Sequence, residues 1–184
     1  TPENTFIAHH TLSIQLPKLA FLFAENALFT GTLSCVDIGL HPDFLSSCPS
    51  DIEFVTAQEI HALMHPRARF GHKGTFGHAL LIAGSEGAFG AALLASRATI
   101  KSGCGKVTAL VPEEAIAPLM IYTPEVMTQS NRQKEKQKSA YYREFDAIGF
   151  GPGIGFESDS HDILAQLLEE QQLPIVLDAD ALTL

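Results

Sequence analysis

From about residue 56 onward, continuously apolar segments alternate with segments whose apolar positions follow a helical period. Residues 78–84 and 106–112 are short and almost entirely apolar, as strands buried on both faces are. The alanine-rich segment between them, residues 90–103, ends on a glycine and is typical of a helix with a C-terminal glycine. The order strand, helix, strand predicts one β-α-β unit of a parallel sheet.

A second β-α-β unit is predicted farther along the chain. Residues 145–150 read as a strand, a glycine-rich turn follows, and a helix near residues 160–170 precedes a strand at 174–178. Strands joined in this way lie parallel in one sheet. We therefore expect one parallel sheet, with the glycine loops at one edge, from residues 79–83, 106–111, 146–150 and 175–178.

The first 50 residues follow a different pattern. Residues 11–15 and 31–38 are candidate strands, residues 42–47 are a short helix or turn, and residues 46–50 have the composition of a linker. Farther on, Thr56 and Glu59 have the spacing of a capping box, which predicts the start of an amphipathic helix. The His65-Pro66 pair ends that helix.

Composition and charge limit the classes of function. Of the 184 residues, 46% are hydrophobic and 18% charged, as in a globular domain, and the net charge of −9 argues against nucleic-acid binding. The one basic run, residues 132–138, is best explained as a solvated loop or helix face. Three cysteines without CxxC spacing indicate a reducing compartment, and the sequence shows neither a membrane span nor a targeting signal.

Two glycine-rich loops are the strongest candidates for ligand binding. Residues 84–90 follow one predicted strand with G-x-x-G-x-x-G spacing, and residues 149–155 follow another with alternate glycines. Neither matches the Rossmann or P-loop spacing, and for the first loop alone a tight turn and a ligand site are equally favoured. Because both loops lie at carboxyl ends of parallel strands, where α/β proteins bind ligands, together they favour a binding site.

Three further groups of polar residues have a structural and a functional interpretation. Asp178 and Asp180, after the last predicted strand, could hold a metal or act as a base, or one of them could cap the following helix. Lys73 could meet a phosphate or simply lie in solvent. His61 and His65 lie four residues apart, but the segment lacks the glutamate of a metallopeptidase, so we expect no zinc site.

Six segments, in this order, resemble the opening of NAD(P)H-hydrate dehydratases: residues 72–85, 90–98, 102–108, 124–127, 151–155 and 177–182. The resemblance implies a ribokinase-like, three-layer α/β fold with a largely parallel sheet. It also implies a cytoplasmic role in metabolite repair, in which the S epimer of hydrated NADH or NADPH is dehydrated. The implied cofactors are ADP or ATP, with Mg²⁺; the nucleotide phosphorylates the ring hydroxyl and the phosphate then leaves.

The same resemblance implies which residues form the site. The substrate contacts carried over from the family motifs are Gly90, Ala91, Gly153 and Gly155, with Lys73 and Asp178 as second contacts. The expected partner is the small-molecule substrate, without nucleic acid or membrane. The family commonly forms homotetramers, so a homo-oligomer is expected.

Residues 5–42 resemble the end of the companion NAD(P)H-hydrate epimerase domain, a likeness carried by Thr11, Pro17-Lys18, Gly31 and residues 37–39. We therefore expect residues 1–50 to be the tail of an epimerase domain with its linker, and residues 51–184 to be the N-terminal half of a dehydratase domain. The epimerase's catalytic and K⁺-binding residues would lie upstream.

The T-P-H-P-G-E and G-x-G-D segments of the dehydratase, which supply the nucleotide site and the catalytic aspartate, do not occur before Leu184. The catalytic residues are thus expected beyond Leu184. The 184-residue chain alone is expected to be inactive and to expose an apolar edge or face.

Two alternatives to the dehydratase remain at this point. One is another ribokinase-like kinase, which phosphorylates a vitamin precursor such as a hydroxymethylpyrimidine and keeps the phosphate on its product. The other is a non-catalytic segment that serves in binding or assembly. A fold alone does not decide among these functions.

Overall fold

The computed structural model describes residues 5–64, 66–133, 139–170 and 173–184. The chain forms two compact units, with the division between residues 65 and 66. No helix of the described ranges is both long and apolar enough to cross a bilayer.

The first unit contains a two-stranded parallel sheet, β1 (His10–Ile14) and β2 (Thr32–Val36), which confirms both predicted strands. The chain between them forms two 3-10 turns, Leu19–Phe21 and Ala24–Asn26, and the short helix α1 (Ala27–Thr30). Among the described residues of this unit only Ser13 and Thr30 are buried. This unit therefore has no apolar core in its described part.

Two helices follow β2 within the first unit. The first, α2 (Pro42–Ser47), shows that the predicted helix or turn is a helix. The second, α3 (Ala57–Leu63), begins with the predicted capping box: the Thr56 hydroxyl accepts from the Glu59 N–H at 3.3 Å, and the Glu59 carboxylate accepts from the Thr56 N–H at 2.6 Å. Both interactions satisfy donors that a helix start leaves free.

The second unit is built on a five-stranded parallel sheet in the order β5-β4-β3-β6-β7. Its strands are β3 (His78–Ile82), β4 (Lys106–Val111), β5 (Met127–Ser130), β6 (Ala147–Phe150) and β7 (Ile175–Leu177). The four predicted strands and their parallel pairing are confirmed. The sequence pattern did not predict β5, which pairs with β4 at one edge. At the other edge Val176 is 66% exposed.

Helices cover both faces of this sheet, because neighbouring residues of a strand point to opposite sides. On one face, Leu81 and Val107 pack in a cluster with residues of α4 (Phe89–Lys101) and α5 (Glu113–Tyr122). On the other face, Leu80 and Phe150 pack with residues of α6 (Ser139–Tyr142) and α7 (Ser158–Glu170). The result is the expected three-layer α/β architecture.

Candidate functional site

The two glycine loops follow the central strands β3 and β6, which are neighbours in the sheet. From β3 the chain crosses to β4 on one side, and from β6 it crosses to β7 on the other side. The point at which the strand order reverses thus lies between β3 and β6. Ligands of open α/β sheets bind at the carboxyl ends of the strands at such a reversal.

The loops contact each other at this point. The Gly84 N–H donates to the carbonyl of Pro152 at 2.9 Å, which ties the first loop to the second. Gly153 has φ +65°, and a Cβ placed there would lie 2.8 Å from the Cβ of Ala91 and 3.1 Å from the carbonyl oxygen of Ala88. Only glycine fits this combination of conformation and close packing. The structure therefore brings Gly153 and Ala91 into contact.

Gly155 and Gly90 belong to the same region. A Cβ at Gly155 would lie 3.6 Å from the hydroxyl of Ser85, so the end of the second loop faces the first loop. Gly90 lies in the first turn of α4 and is exposed, and a Cβ added there would meet nothing within 4 Å. The space beside Gly90 is therefore open to a ligand.

Beside the loops is a cavity of about 340 Å³. Its lining combines the ends of β3 and β4, both glycine loops and the start of α7, and includes Ser85, Glu86, Glu114, Arg132, Ile154 and Asp159. A larger cavity of about 530 Å³ lies within the first unit, and none of the residues that line it is charged. The position and the polar lining favour the smaller cavity as the candidate site.

Charged side chains form one connected group at the rim of this cavity. The guanidinium of Arg132 lies 2.5 Å from a carboxylate oxygen of Glu114 and 3.4 Å from one of Glu113. The pKa of Glu114 is lowered, first because its own backbone N–H donates to the carboxylate and then because Arg132 is close. Arg132 is exposed, as expected for the basic run, but the sequence did not indicate its pairing with Glu113 and Glu114. The other basic residues of the run, Lys134, Lys136 and Lys138, lie outside the described residues.

The two aspartates after β7 differ in their contacts. Asp180 accepts a hydrogen bond from the N–H of Gly155 at 3.0 Å, so its carboxylate holds the end of the second glycine loop. Asp178 is the N-cap of the 3-10 helix Ala179–Leu182, but its side chain makes no capping hydrogen bond. A Cβ on Gly151 would overlap the carbonyl oxygen of Asp178, which shows how closely the two segments approach. Of the two aspartates, Asp180 is therefore the one whose side chain holds the second glycine loop in place.

The remaining predicted residues lie elsewhere. Lys73 begins a 3-10 helix, Lys73–Phe76, and its carbonyl packs against Gly105, which precedes β4. Its backbone is therefore at the amino end of the sheet, opposite the glycine loops. His61 lies on α3, whereas His65 is outside the described residues. Within the described ranges, no group of three or more His, Cys, Asp or Glu side chains has the arrangement of a metal site.

Comparison with solved structures defines the fold class. A ribokinase-like superfamily protein from Enterococcus faecalis superposes with a TM-score of 0.64 at 24% identity, covering 73% of this chain and 50% of its own. The ADP/ATP-dependent NAD(P)H-hydrate dehydratase from Bacillus subtilis, co-crystallised with ATP and Mg²⁺, gives the same TM-score of 0.64 at 31% identity. That match covers 73% of this chain and 48% of the Bacillus protein. The second unit therefore has the ribokinase-like fold that the resemblance implied.

The chain belongs to the NAD(P)H-hydrate dehydratase family, whose sequence profile matches residues 79–184. The bifunctional NAD(P)H-hydrate repair enzyme Nnr of Moorella thermoacetica is 33% identical over 181 residues, a match that covers 94% of this chain and 34% of that protein. The Nnr enzyme of Escherichia coli is 30% identical over 184 residues and is covered to 35%. The chain thus spans about a third of the length of these bifunctional relatives.

Proposed function

We propose that this chain takes part in the nucleotide-dependent dehydration of (6S)-hydrated NADH and NADPH, which restores the reduced dinucleotides. The family match supports the reaction class. The observation that carries the proposal is that both glycine loops within the family match meet at the strand-order reversal and border one cavity. Such a position lets backbone N–H groups and a helix start approach a phosphorylated ligand.

The substrate contacts that we propose are Gly90, Ala91, Gly153 and Gly155. The open space at Gly90 and the packing of Gly153 on Ala91 support this assignment. Asp178 follows β7 at the same end of the sheet and remains a proposed second contact. Lys73 also remains a proposed contact, supported only by the sequence resemblance, because its backbone lies at the opposite end of the sheet.

The proposed phosphate donor is ADP or ATP, with Mg²⁺. Magnesium bound with a nucleotide keeps phosphate oxygens and waters as most of its ligands, so it needs few ligands from this segment. Phosphoryl transfer depends on positioning and on neutralising charge more than on covalent chemistry by the protein. The glycine loops would supply the positioning of the substrate, and the catalytic aspartate is expected beyond Leu184.

The first unit is proposed to be the tail of an epimerase domain that uses K⁺. Its described residues contain no buried apolar side chain, as expected when the rest of a domain supplies the core. The names of the bifunctional relatives that match almost the whole chain also support this role. The domain boundary expected after residue 50 remains part of this proposal.

The protein is further proposed to act in the cytoplasm as a homo-oligomer. Apolar side chains on α5 support self-association, because this helix buries Ala115 and Leu119 against the sheet and also exposes Met120, Ile121 and Tyr122. A helix that is apolar on more than one face is typically covered by a partner.

The reaction can be tested with the protein expressed from the full reading frame that contains this segment. Hydrated NADH would be incubated with ADP or ATP and Mg²⁺, while reduced-nicotinamide absorbance and phosphate release are followed. The dehydratase predicts that both signals rise together and that nucleotide is consumed. A stable phosphorylated product without recovered absorbance would instead identify a kinase, and no consumption of nucleotide would contradict both enzymes.

A further inference from the structure

We propose that the charged cluster of Arg132, Glu113 and Glu114 makes the site prefer hydrated NADH to hydrated NADPH. This inference rests on the proposed function and adds to it the residues that distinguish the two substrates. These substrates differ only by the phosphate on the 2′ oxygen of the adenosine ribose. The cluster would disfavour that phosphate while accepting a free ribose hydroxyl.

The position of the cluster places it within reach of a dinucleotide. Arg132 follows β5, and the two glutamates form the first turn of α5 directly after β4. Arg132 and Glu114 line the same cavity as Ser85 and Ile154, which belong to the two glycine loops. In this proposal the reacting end of the dinucleotide lies at the loops, and its adenosine ribose lies on the side of the cavity that Arg132 and Glu114 line.

The charge of the cluster determines which group it accepts. A free arginine is a good partner for a 2′-phosphate, whereas a carboxylate accepts hydrogen bonds from ribose hydroxyls. Here the Arg132 guanidinium is already paired with two carboxylates, at 2.5 and 3.4 Å, so the three side chains together carry one negative charge. The positive charge of the arginine is therefore more than offset by its two carboxylate partners, which weakens its attraction for a phosphate.

The other charged residues described around this cavity act in the same direction. Glu86, Glu157 and Asp159 line it, and all three are acidic. A 2′-phosphate adds up to two negative charges to the ligand and would be repelled by these carboxylates. The cluster is exposed to solvent, with Arg132 64% accessible, so salt screens the repulsion and the expected effect is moderate.

The test compares hydrated NADH with hydrated NADPH in the full-length protein at low ionic strength. For the wild type we expect kcat/KM to favour hydrated NADH about 3- to 10-fold, a size typical of screened charges at a protein surface. Replacing both carboxylates in Glu113→Gln/Glu114→Gln frees the arginine and should lower this ratio about 3- to 10-fold. Arg132→Gln should leave the preference for hydrated NADH intact or increase it.

Glu125→Gln is the matched control, because Glu125 is an acidic residue of a different depression beside Arg97 and Lys101. This variant should leave the ratio unchanged. Affinities for the products NADH and NADPH, measured by calorimetry, provide a second readout that does not require turnover. The inference is overturned if the wild type prefers the phosphorylated dinucleotide, or if the double variant leaves the ratio unchanged in both readouts.

Failure of the proposed function has a different signature. If neither hydrated substrate is consumed but NADH binds better than NADPH in a cluster-dependent way, the reaction is wrong and the selectivity is right. If neither product binds, both proposals are wrong.

Discussion

Replacing Gly90 by alanine should stabilise the second unit while weakening the binding of hydrated NADH. Gly90 is helical, it lies in the first turn of α4, and a methyl group there would meet no atom within 4 Å. Alanine loses less conformational freedom than glycine on entering a helix, and in a helix interior the difference is about 0.5–1 kcal/mol. Since Gly90 is close to the helix start, we expect the lower part of this range.

The loss of binding arises from the same methyl group. If the substrate lies against the Gly90 backbone, an added side chain occupies space that the ligand needs. Extra atoms forced into a packed contact cost about 1–3 kcal/mol, which corresponds to roughly 5- to 150-fold in affinity. We expect Gly90→Ala near the lower limit and Gly90→Trp near the upper one, both measured as KM for hydrated NADH in the full-length protein.

Gly103→Ala is the matched control at the other end of α4. A methyl group at Gly103 also meets no atom within 4 Å, but its φ of +106° is unfavourable for alanine. This variant should lose stability in urea unfolding and keep its KM. A folded Gly90→Trp variant with an unchanged KM would show that Gly90 is not part of the site. A Gly90→Ala variant less stable than the wild type would contradict the open space described around Gly90.

Three further predictions concern packing, pH and activity. Gly153→Ala should cost about 1–3 kcal/mol in urea unfolding, because its Cβ would lie 2.8 Å from that of Ala91 at φ +65°; unchanged stability would contradict the loop geometry. Burial of the His78 ring, and after it the charge of Lys106, lower the pKa of His78 below 6.5. The free energy of unfolding should therefore decrease as the pH falls through that value, and the His78→Gln variant should lose less stability over the same pH range. Residues 1–184 alone, given ADP or ATP, Mg²⁺ and hydrated NADH, should show no turnover; activity like that of the full-length protein would place the catalytic residues within this segment.

The central strands could be predicted because runs of apolar residues must be buried on both faces of a sheet. In β3 and β4 consecutive residues are apolar, and Leu80 and Val107 are fully buried, which only a sheet covered on both faces allows. In β5 the residues after Met127 are polar, and one of them, Gln129, accepts a hydrogen bond from the hydroxyl of Tyr141. A four-residue strand with three polar residues has no apolar pattern to reveal it, so only its pairing with β4 identifies it.

Helix α5 and the charged contacts of the site were missed for other physical reasons. Pro118 lies inside α5, and proline is a signal against a helix interior. The pairing of Arg132 with the start of α5 and the bond from Gly155 to Asp180 join residues that are distant in sequence. Such contacts depend on which strand ends meet. The glycine loops were recognisable from their own residues, whereas the side chains that hold them were not.

The reversal of strand order between β3 and β6 has a consequence for how the protein folds. In β3, Ala79 pairs with Val107 on one side and with Ala147 on the other, so the second pairing closes a much longer loop. The entropy of loop closure makes that second pairing costlier by about 0.8 kcal/mol, from the ratio of the two sequence separations. Contacts of long range form slowly. The two glycine loops therefore meet only after the most distant pairing of the sheet has formed, and a chain that binds its ligand has already completed the slow part of its folding.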